Sequence, residues 1–203
     1  MCPASIVVAR HGDAEYVDQV FSDEGGTLTH EGRAQAERLA EQLRDRRLSD
    51  VWCSDTARAV QTAEIVAARL GVGVTTRKGL REIDVGDLHG QPFSIPAICE
   101  ITDHWFDGDL SAAFPGGESG EDVVARYRAC LAEVADVHRG ETVLVVGHQT
   151  AISVALPSLA RDVTLGFADR HRLDHGEFAE LVVDSDDWAV TGWSGTGEAA
   201  IGS

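Results

Sequence analysis

Two short apolar runs, each ending at a histidine, constrain this chain more than any other feature. Ser5-Ile-Val-Val-Ala9 leads into Arg10-His11, and Thr142-Val-Leu-Val-Val146 leads through Gly147 to His148. Unbroken β-branched runs of this length suit strands covered on both faces, because a strand with one wet face would alternate apolar and polar residues. Between them the pattern switches to helical spacing. Thr29 to Arg44 sets Ala34, Ala36, Leu39, Ala40 and Leu43 among charges, with Thr29 a candidate N-cap. Thr56 to Leu70 repeats the pattern with Ala59, Val60, Ala63, Ile65, Val66 and Leu70 before the helix-stopping Gly71. Further strands are predicted at Asp50–Cys53 and Val72–Thr76. A helix over Ser119–His138, opened by Ser119 and Asp122 as a capping box, and another over Gln149–Leu159 come next. Glu177–Val183 and Trp188–Trp193 are expected to close the chain as an antiparallel pair across the turn-forming residues 184–187.

Strands alternating with helices predict an α/β three-layer sandwich, a mostly parallel central sheet flanked by helices, forming one domain over residues 1–203 with a frayed tail from about Gly195. Residues 88–117 break the rhythm with Pro92, Pro96 and Pro115 and the aromatics Phe93, Trp105, Phe106 and Phe114. They are expected to form a short, partly helical cap insertion. The aromatics are expected to pack it down, since aromatics in a short insertion more often pack than bind. In open α/β sheets ligands sit at the carboxyl ends of the strands, so the residues just after each strand are the ones to inspect.

His11 and His148 stand at that edge, Arg10 adjoins the first, and Arg58 opens the helix after the strand ending at Cys53. The chain nevertheless carries a formal charge of −17, which disfavours nucleic acid and anionic membranes as partners. Two guanidiniums and two imidazoles gathered in so acidic a protein call for an anion. A phosphoryl group fits, because the planar donor fork of arginine matches its oxygens and helix N-termini add aligned N–H groups. Leu80-Arg-Glu-Ile-Asp-Val-Gly-Asp-Leu-His-Gly90 offers Glu82, Asp84 and Asp87 as proton donors to the leaving oxygen. His30, His89, His104, His138, His171 and His175 are read as surface or packing residues. Cys2, Cys53, Cys99 and Cys130 have no metal-ligand or redox spacing and read as reduced, mostly buried small hydrophobes. The first residues lack the basic and long apolar regions of a secretory signal, and no run reaches the ~18 apolar residues of a bilayer span, so a cytoplasmic location is expected.

Six ordered blocks resemble one family. Arg10-His11-Gly12, Leu28-Thr29 with Gly32-Arg-Ala-Gln-Ala36, Ser54 with Arg58-Ala-Val-Gln-Thr-Ala63, Leu80-Arg-Glu-Ile-Asp-Val-Gly86, Phe114-Pro-Gly-Gly-Glu-Ser119 and Val145-Val-Gly-His148 are similar to the histidine phosphatase superfamily, the phosphoglycerate-mutase-like proteins. The resemblance implies His11 as a nucleophile that becomes phosphohistidine, Arg10, Arg58 and His148 as the clamp on the phosphoryl oxygens, and Glu82 as the proton donor. It also implies a substrate that is a small phosphorylated metabolite, with no metal and no cofactor. Gln149 could add a phosphate donor or simply open its helix. Where family members often carry a polar phosphate contact this chain has Val17, and the stretch 88–117 holds no Lys or Arg. Both departures favour a metal-independent phosphatase over a cofactor-dependent phosphoglycerate mutase, which must hold a second anionic group; the proton roles of His11 and Glu82 predict a mildly acidic optimum. A catalytically idle regulatory relative ranks third, because both histidines and both arginines are present.

Overall fold

The computed structural model of the chain describes residues 2–16, 20, 25–92, 96–185 and 187–195. Its centre is a six-stranded sheet. In chain order the elements are β1 (Ala4–Arg10), a short pair β2 (Ala14–Glu15) and β3 (Thr27–Leu28), α1 (His30–Leu43), β4 (Leu48–Cys53), α2 (Ala57–Leu70) and β5 (Gly73–Thr76). After these come α3 (Pro96–Phe106), α4 (Gly120–Val137), β6 (Thr142–Gly147), α5 (Gln149–Leu159), α6 (Leu165–Arg170), β7 (Phe178–Asp184) and β8 (Asp187–Trp193). Across the large sheet the order is β5-β4-β6-β1-β7-β8. The first four strands are mutually parallel, and β7 and β8 add an antiparallel edge. This is the expected sandwich, mostly parallel and flanked by helices.

The unbroken apolar runs are explained by that placement. Ile6 and Val8 of β1, with Val143 and Val145 of β6, pack against α4 and α5 through Val123, Tyr127, Leu131, Ile152 and Leu156. Val7, Ala9, Leu144 and Val146 face the other way, onto Leu39 and Leu43 of α1 and Ala59, Ala63 and Val66 of α2. Each large side chain so buried stabilises the fold by about 1.5–3 kcal/mol relative to leaving it in water, which is why the central strands tolerate no alternation. Local signals fixed the helix ends. Thr29 accepts from the Gly32 amide, the Ser119/Asp122 capping box is complete, and Gly71 closes α2 at φ 73°.

The short elements and two of the cysteines depart from expectation, whereas the buried aromatics of the insertion do not. The six-residue α6, capped by Thr164, and the β2–β3 pair are too short to leave a periodic signal. Cys2 and Cys99 are exposed, so only Cys53 and Cys130 fit the buried reading. The insertion carries α3, and its aromatics Trp105, Phe106 and Phe114 are buried. Trp105 meets Phe114 edge-on at 5.4 Å and donates to the Ala112 carbonyl. Val17, Phe93 and the tail beyond Gly195 lie outside the described residues. No helix among the described residues is long and apolar enough to cross a membrane.

Candidate active site

Parallel register brings the two histidines together. Arg10 pairs with Gly147 across β1 and β6, so the next residue of each strand, His11 and His148, emerges at the same carboxyl edge with ring centroids 5.0 Å apart. The His11 amide donates to the Gly147 carbonyl, which continues the ladder one residue past the sheet. Gly12 is needed next, because a Cβ there would lie 2.4 Å from the Gly32 carbonyl oxygen of α1. Its amide donates to Thr62 Oγ1, and Thr62 donates in turn to the Arg58 carbonyl. The β1 loop is thus tied to α2 at the turn that carries Arg58.

Arg58 sets the state of both imidazoles. A guanidinium can only donate. Its Nε donates to His11 Nε2 at 3.1 Å, so the His11 proton sits on Nδ1, 2.7 Å from the Gly12 carbonyl. Its Nη2 pairs with His148 Nδ1 at 3.2 Å, which leaves the His148 proton on Nε2 facing Thr56 Oγ1. Burial, then the Arg58 guanidinium, with Arg10 and His175 adding, holds His11 well below its ordinary pKa against the opposing pull of the Gly12 carbonyl. Burial, then His11 and Arg58, does the same to His148. Both rings are therefore neutral, and His11 keeps a lone pair on Nε2.

Two donors here lack a protein acceptor. Arg10 Nε and Arg58 Nη1 are buried with no hydrogen-bond partner among the described residues. Arg10 is held elsewhere by the Leu173 carbonyl and by His175, and burial pushes its pKa down. Gly25, at φ 50°, packs so close to Arg58 that a Cβ would fall 1.6 Å from Nη1. A cavity of about 580 Å³ opens onto Arg10, His11, Arg58, Glu82 and Gln149, with Lys78, Arg81 and Asp84 toward its walls.

The predicted residues thus meet in one place, with three revisions. His148 is fully buried, has both ring nitrogens engaged by Arg58 and Thr56, and is not among the residues lining the cavity. The N-terminus of α5 does not lie open to an anion: Glu82 Oε2 accepts from the Thr150 amide, and Oε1 from the amides of Ala151 and Ile83. His148, the N-cap of α5, supplies no side-chain cap, so a carboxylate from a distant loop satisfies that end. Gln149 lines the cavity, but its amide donates to the Leu173 carbonyl that Arg10 also uses. Asp84 lines the cavity with its carboxylate on the Gly86 amide and His89, whereas Asp87 is not among the lining residues.

Several site residues escaped the sequence. Arg126 of α4 spends every guanidinium N–H: on the carbonyls of Gly79, Arg81 and Glu82 and on both oxygens of Glu118, whose Oε2 also accepts from the Asp84 amide. It braces the loop that presents Glu82. Glu118 lay within a recognised block, but nothing local marked Arg126. Lys78 and Arg81 give the cavity cations from the loop after β5, so the lack of Lys and Arg in residues 88–117 does not bear on its charge. Among the described residues of that stretch only His89 lines the cavity. His175, read as surface or packing, instead bonds Arg10.

Residues 6–196 match the family model of the histidine phosphatase superfamily, branch 1. The chain belongs to that superfamily. It is 27% identical over 194 residues to "Probable phosphoglycerate mutase GpmB" of Salmonella choleraesuis, covering 93% of this chain and 89% of the relative. Among solved structures it is similar to a mycobacterial glucosyl-3-phosphoglycerate phosphatase crystallised with VO3, at 27% identity and TM-score 0.79 over 95% of this chain and 99% of that one. It is also similar to YhfR of Bacillus stearothermophilus, at 26% identity and TM-score 0.80 over 96% and 98%. The α-ribazole phosphatase of Shigella flexneri shares the fold, with TM-score 0.73 at 23% identity over 93% and 95%. The mostly parallel sheet and the six sequence blocks of this chain are thus those of a histidine phosphatase superfamily member.

Proposed function

We propose that the protein is a metal-independent phosphatase that hydrolyses a phosphomonoester of a small metabolite through a phosphohistidine on His11. The observation that carries this reading is the pairing of a neutral His11, its lone pair on Nε2, with two buried guanidinium donors that have no acceptor among the described residues, Arg10 Nε and Arg58 Nη1. Buried donors are almost always satisfied, so such a pair beside a cavity is matched to an acceptor from outside, and a phosphoryl oxygen supplies it.

Arg58 Nε turns its N–H from His11 Nε2 to a phosphoryl oxygen. His11 Nε2 then attacks phosphorus while the P–O bond to the leaving alcohol breaks, and that oxygen takes a proton from Glu82, whose carboxylate received it from the monoanionic phosphomonoester on binding. With His148 seating Arg58 through Nδ1, Arg10 and Arg58 hold the phosphoryl oxygens as charge shifts among them, which is the work a metal does in other phosphoryl-transfer enzymes. A water then attacks the phosphohistidine. Glu82, now a carboxylate, takes its proton, the N–P bond breaks, and His11 returns to the neutral state with its lone pair restored. Because burial and Arg58 keep His11 neutral below its ordinary range, the nucleophile stays competent in mild acid.

A second reading, a phosphoglycerate mutase, draws on Lys78 and Arg81 at the cavity and on the name of the Salmonella relative. Arg81, however, is engaged bidentately by Asp55, which leaves less cationic reach for a second anionic group. A panel of phosphomonoesters assayed with a chelator separates the readings. Release of inorganic phosphate by the wild type, lost in His11→Ala, with an acid-labile phosphoenzyme trapped on quenching, is expected. Turnover that requires a divalent ion, or transfer between the hydroxyls of phosphoglycerate without release, would overturn it.

A further inference from the structure

We propose that His175 is a positioning residue for Arg10: as a neutral imidazole it accepts from the Arg10 guanidinium and fixes the orientation in which that side chain meets the phosphoryl group. This rests on the phosphatase reading for its chemistry, though not for its geometry.

His175 lies in the connection between α6 and β7, far from Arg10 in sequence, and arrives because β7 runs antiparallel beside β1. Its Nε2 is 2.7 Å from Arg10 Nη2. Since the guanidinium can only donate, Nε2 must be the unprotonated nitrogen and the ring proton must sit on Nδ1. That proton faces Asp13 Oδ1 at 3.8 Å, and the Asp13 carboxylate is itself held by the Thr29 hydroxyl at the N-cap of α1. The His175 ring is 5.5 Å from that of His11. Among the described residues Arg10 is otherwise anchored only by the Leu173 carbonyl through Nη1, while its Nε finds no acceptor among them. Removing the His175 acceptor would leave one bond to aim a three-carbon side chain.

The groups facing His175 set how it titrates. Arg10 and His11 lie against it, and the carboxylates of Asp13 and Asp174 act on it with the opposite sign. Burial, then Arg10, lowers the His175 pKa, while Asp13 and Asp174 raise it. The His175 ring is thus held neutral to lower pH than an exposed histidine. Once protonated, Nε2 can no longer accept, and a second cation lies against the guanidinium. Loss of activity in acid is therefore expected to track His175 and not His11, which is buried more deeply and held down more strongly.

Two measurements test this on the full chain, comparing wild type with His175→Leu, which has no acceptor, and His175→Gln, which keeps an acceptor oxygen at similar reach but does not titrate. The first is sulfate binding by calorimetry at pH 8, where a tetrahedral dianion reports the clamp without turnover. His175→Leu is expected to bind at least ~10-fold more weakly, and His175→Gln to recover most of that loss. The second is the pH profile of kcat/KM on p-nitrophenyl phosphate, where substrate titration is common to all three proteins. The acid limb of the wild type is expected to move at least one pH unit lower in His175→Gln. Sulfate affinity of a folded His175→Leu within threefold of wild type, or an unmoved acid limb in His175→Gln, would overturn the inference. A wild type without phosphatase activity overturns the proposed function instead and leaves sulfate binding to decide on His175.

Discussion

The two ends of the central sheet each gather histidine and its partners, and they are built to opposite rules. At the amino end, His138 accepts from the Trp52 indole at Nε2 and donates from Nδ1 to Glu141, beside Ser49, whose hydroxyl bonds the Thr142 carbonyl. The cluster closes on itself and joins the start of β4 to the start of β6. At the carboxyl end, Arg58 binds both imidazoles, yet it and Arg10 each retain a buried N–H with no acceptor among the described residues. The same residue types act as a staple where their bonding is complete and as a receptor where it is short of an acceptor. An unsatisfied buried donor costs about 1–3 kcal/mol, so the carboxyl end stores instability that an oxyanion can relieve, and the amino end stores none.

The contrast can be broken most directly at Arg58. Arg58→Met keeps the apolar stem and removes the orphan donor, so phosphatase turnover is expected to fall ~10²–10³-fold while the denaturant midpoint changes little, relief of the orphan donor offsetting the two imidazole nitrogens that lose Arg58. A clear loss of stability would show that Arg58 is mainly a structural bolt. Arg126 stands between the extremes, being saturated like the amino-end cluster but bracing a cavity loop. Arg126→Met should cost ~3 kcal/mol or more in urea unfolding, because it strands the Glu118 carboxylate and three carbonyls, and lower kcat ~10–100-fold as Glu82 shifts. Damage to stability with kcat intact would separate the loop from the chemistry.

Acid titration sharpens the same comparison through the folded state. His11 and His148 are held well below the ordinary histidine value of 6.5, so below that pH the unfolded chain takes up protons that the native protein does not. Stability is expected to be flat near neutrality and to decline as pH falls below ~6.5, by up to about 1.4 kcal/mol per pH unit for each histidine. Urea midpoints between pH 8 and 5 would measure it. Arg58→Met, which removes one cause of both shifts, should make the decline shallower. The smallest effect belongs to the amino end. His138→Phe leaves the Trp52 N–H and Glu141 without their partner and is expected to cost ~1–2 kcal/mol, with kcat/KM unchanged. A fall in kcat/KM there would mean that the two ends of the sheet are coupled.

The α/β alternation, the strands β1 and β6, the capped ends of α1 and α4 and the extent of α5 could all be read from local signals, because burial on two faces and cap chemistry are written within a few residues of where they act. So could the cluster of Arg10, His11, Arg58 and His148, since parallel strands deliver the residues at their carboxyl ends to one edge. The six blocks and their family made the candidate site more specific than periodicity could. Tertiary structure alone decided who serves whom. Glu82 caps α5 across 69 residues, as its bond to the Ala151 amide shows. Arg126 reaches back 44 residues to hold the Glu82 carbonyl, and His175 meets Arg10 across 165. Such partnerships depend on how strands are ordered and how loops fold over the sheet. Hydrogen-bond direction and desolvation, which fix the protons on His11 and His148, exist only once those distant groups are packed together.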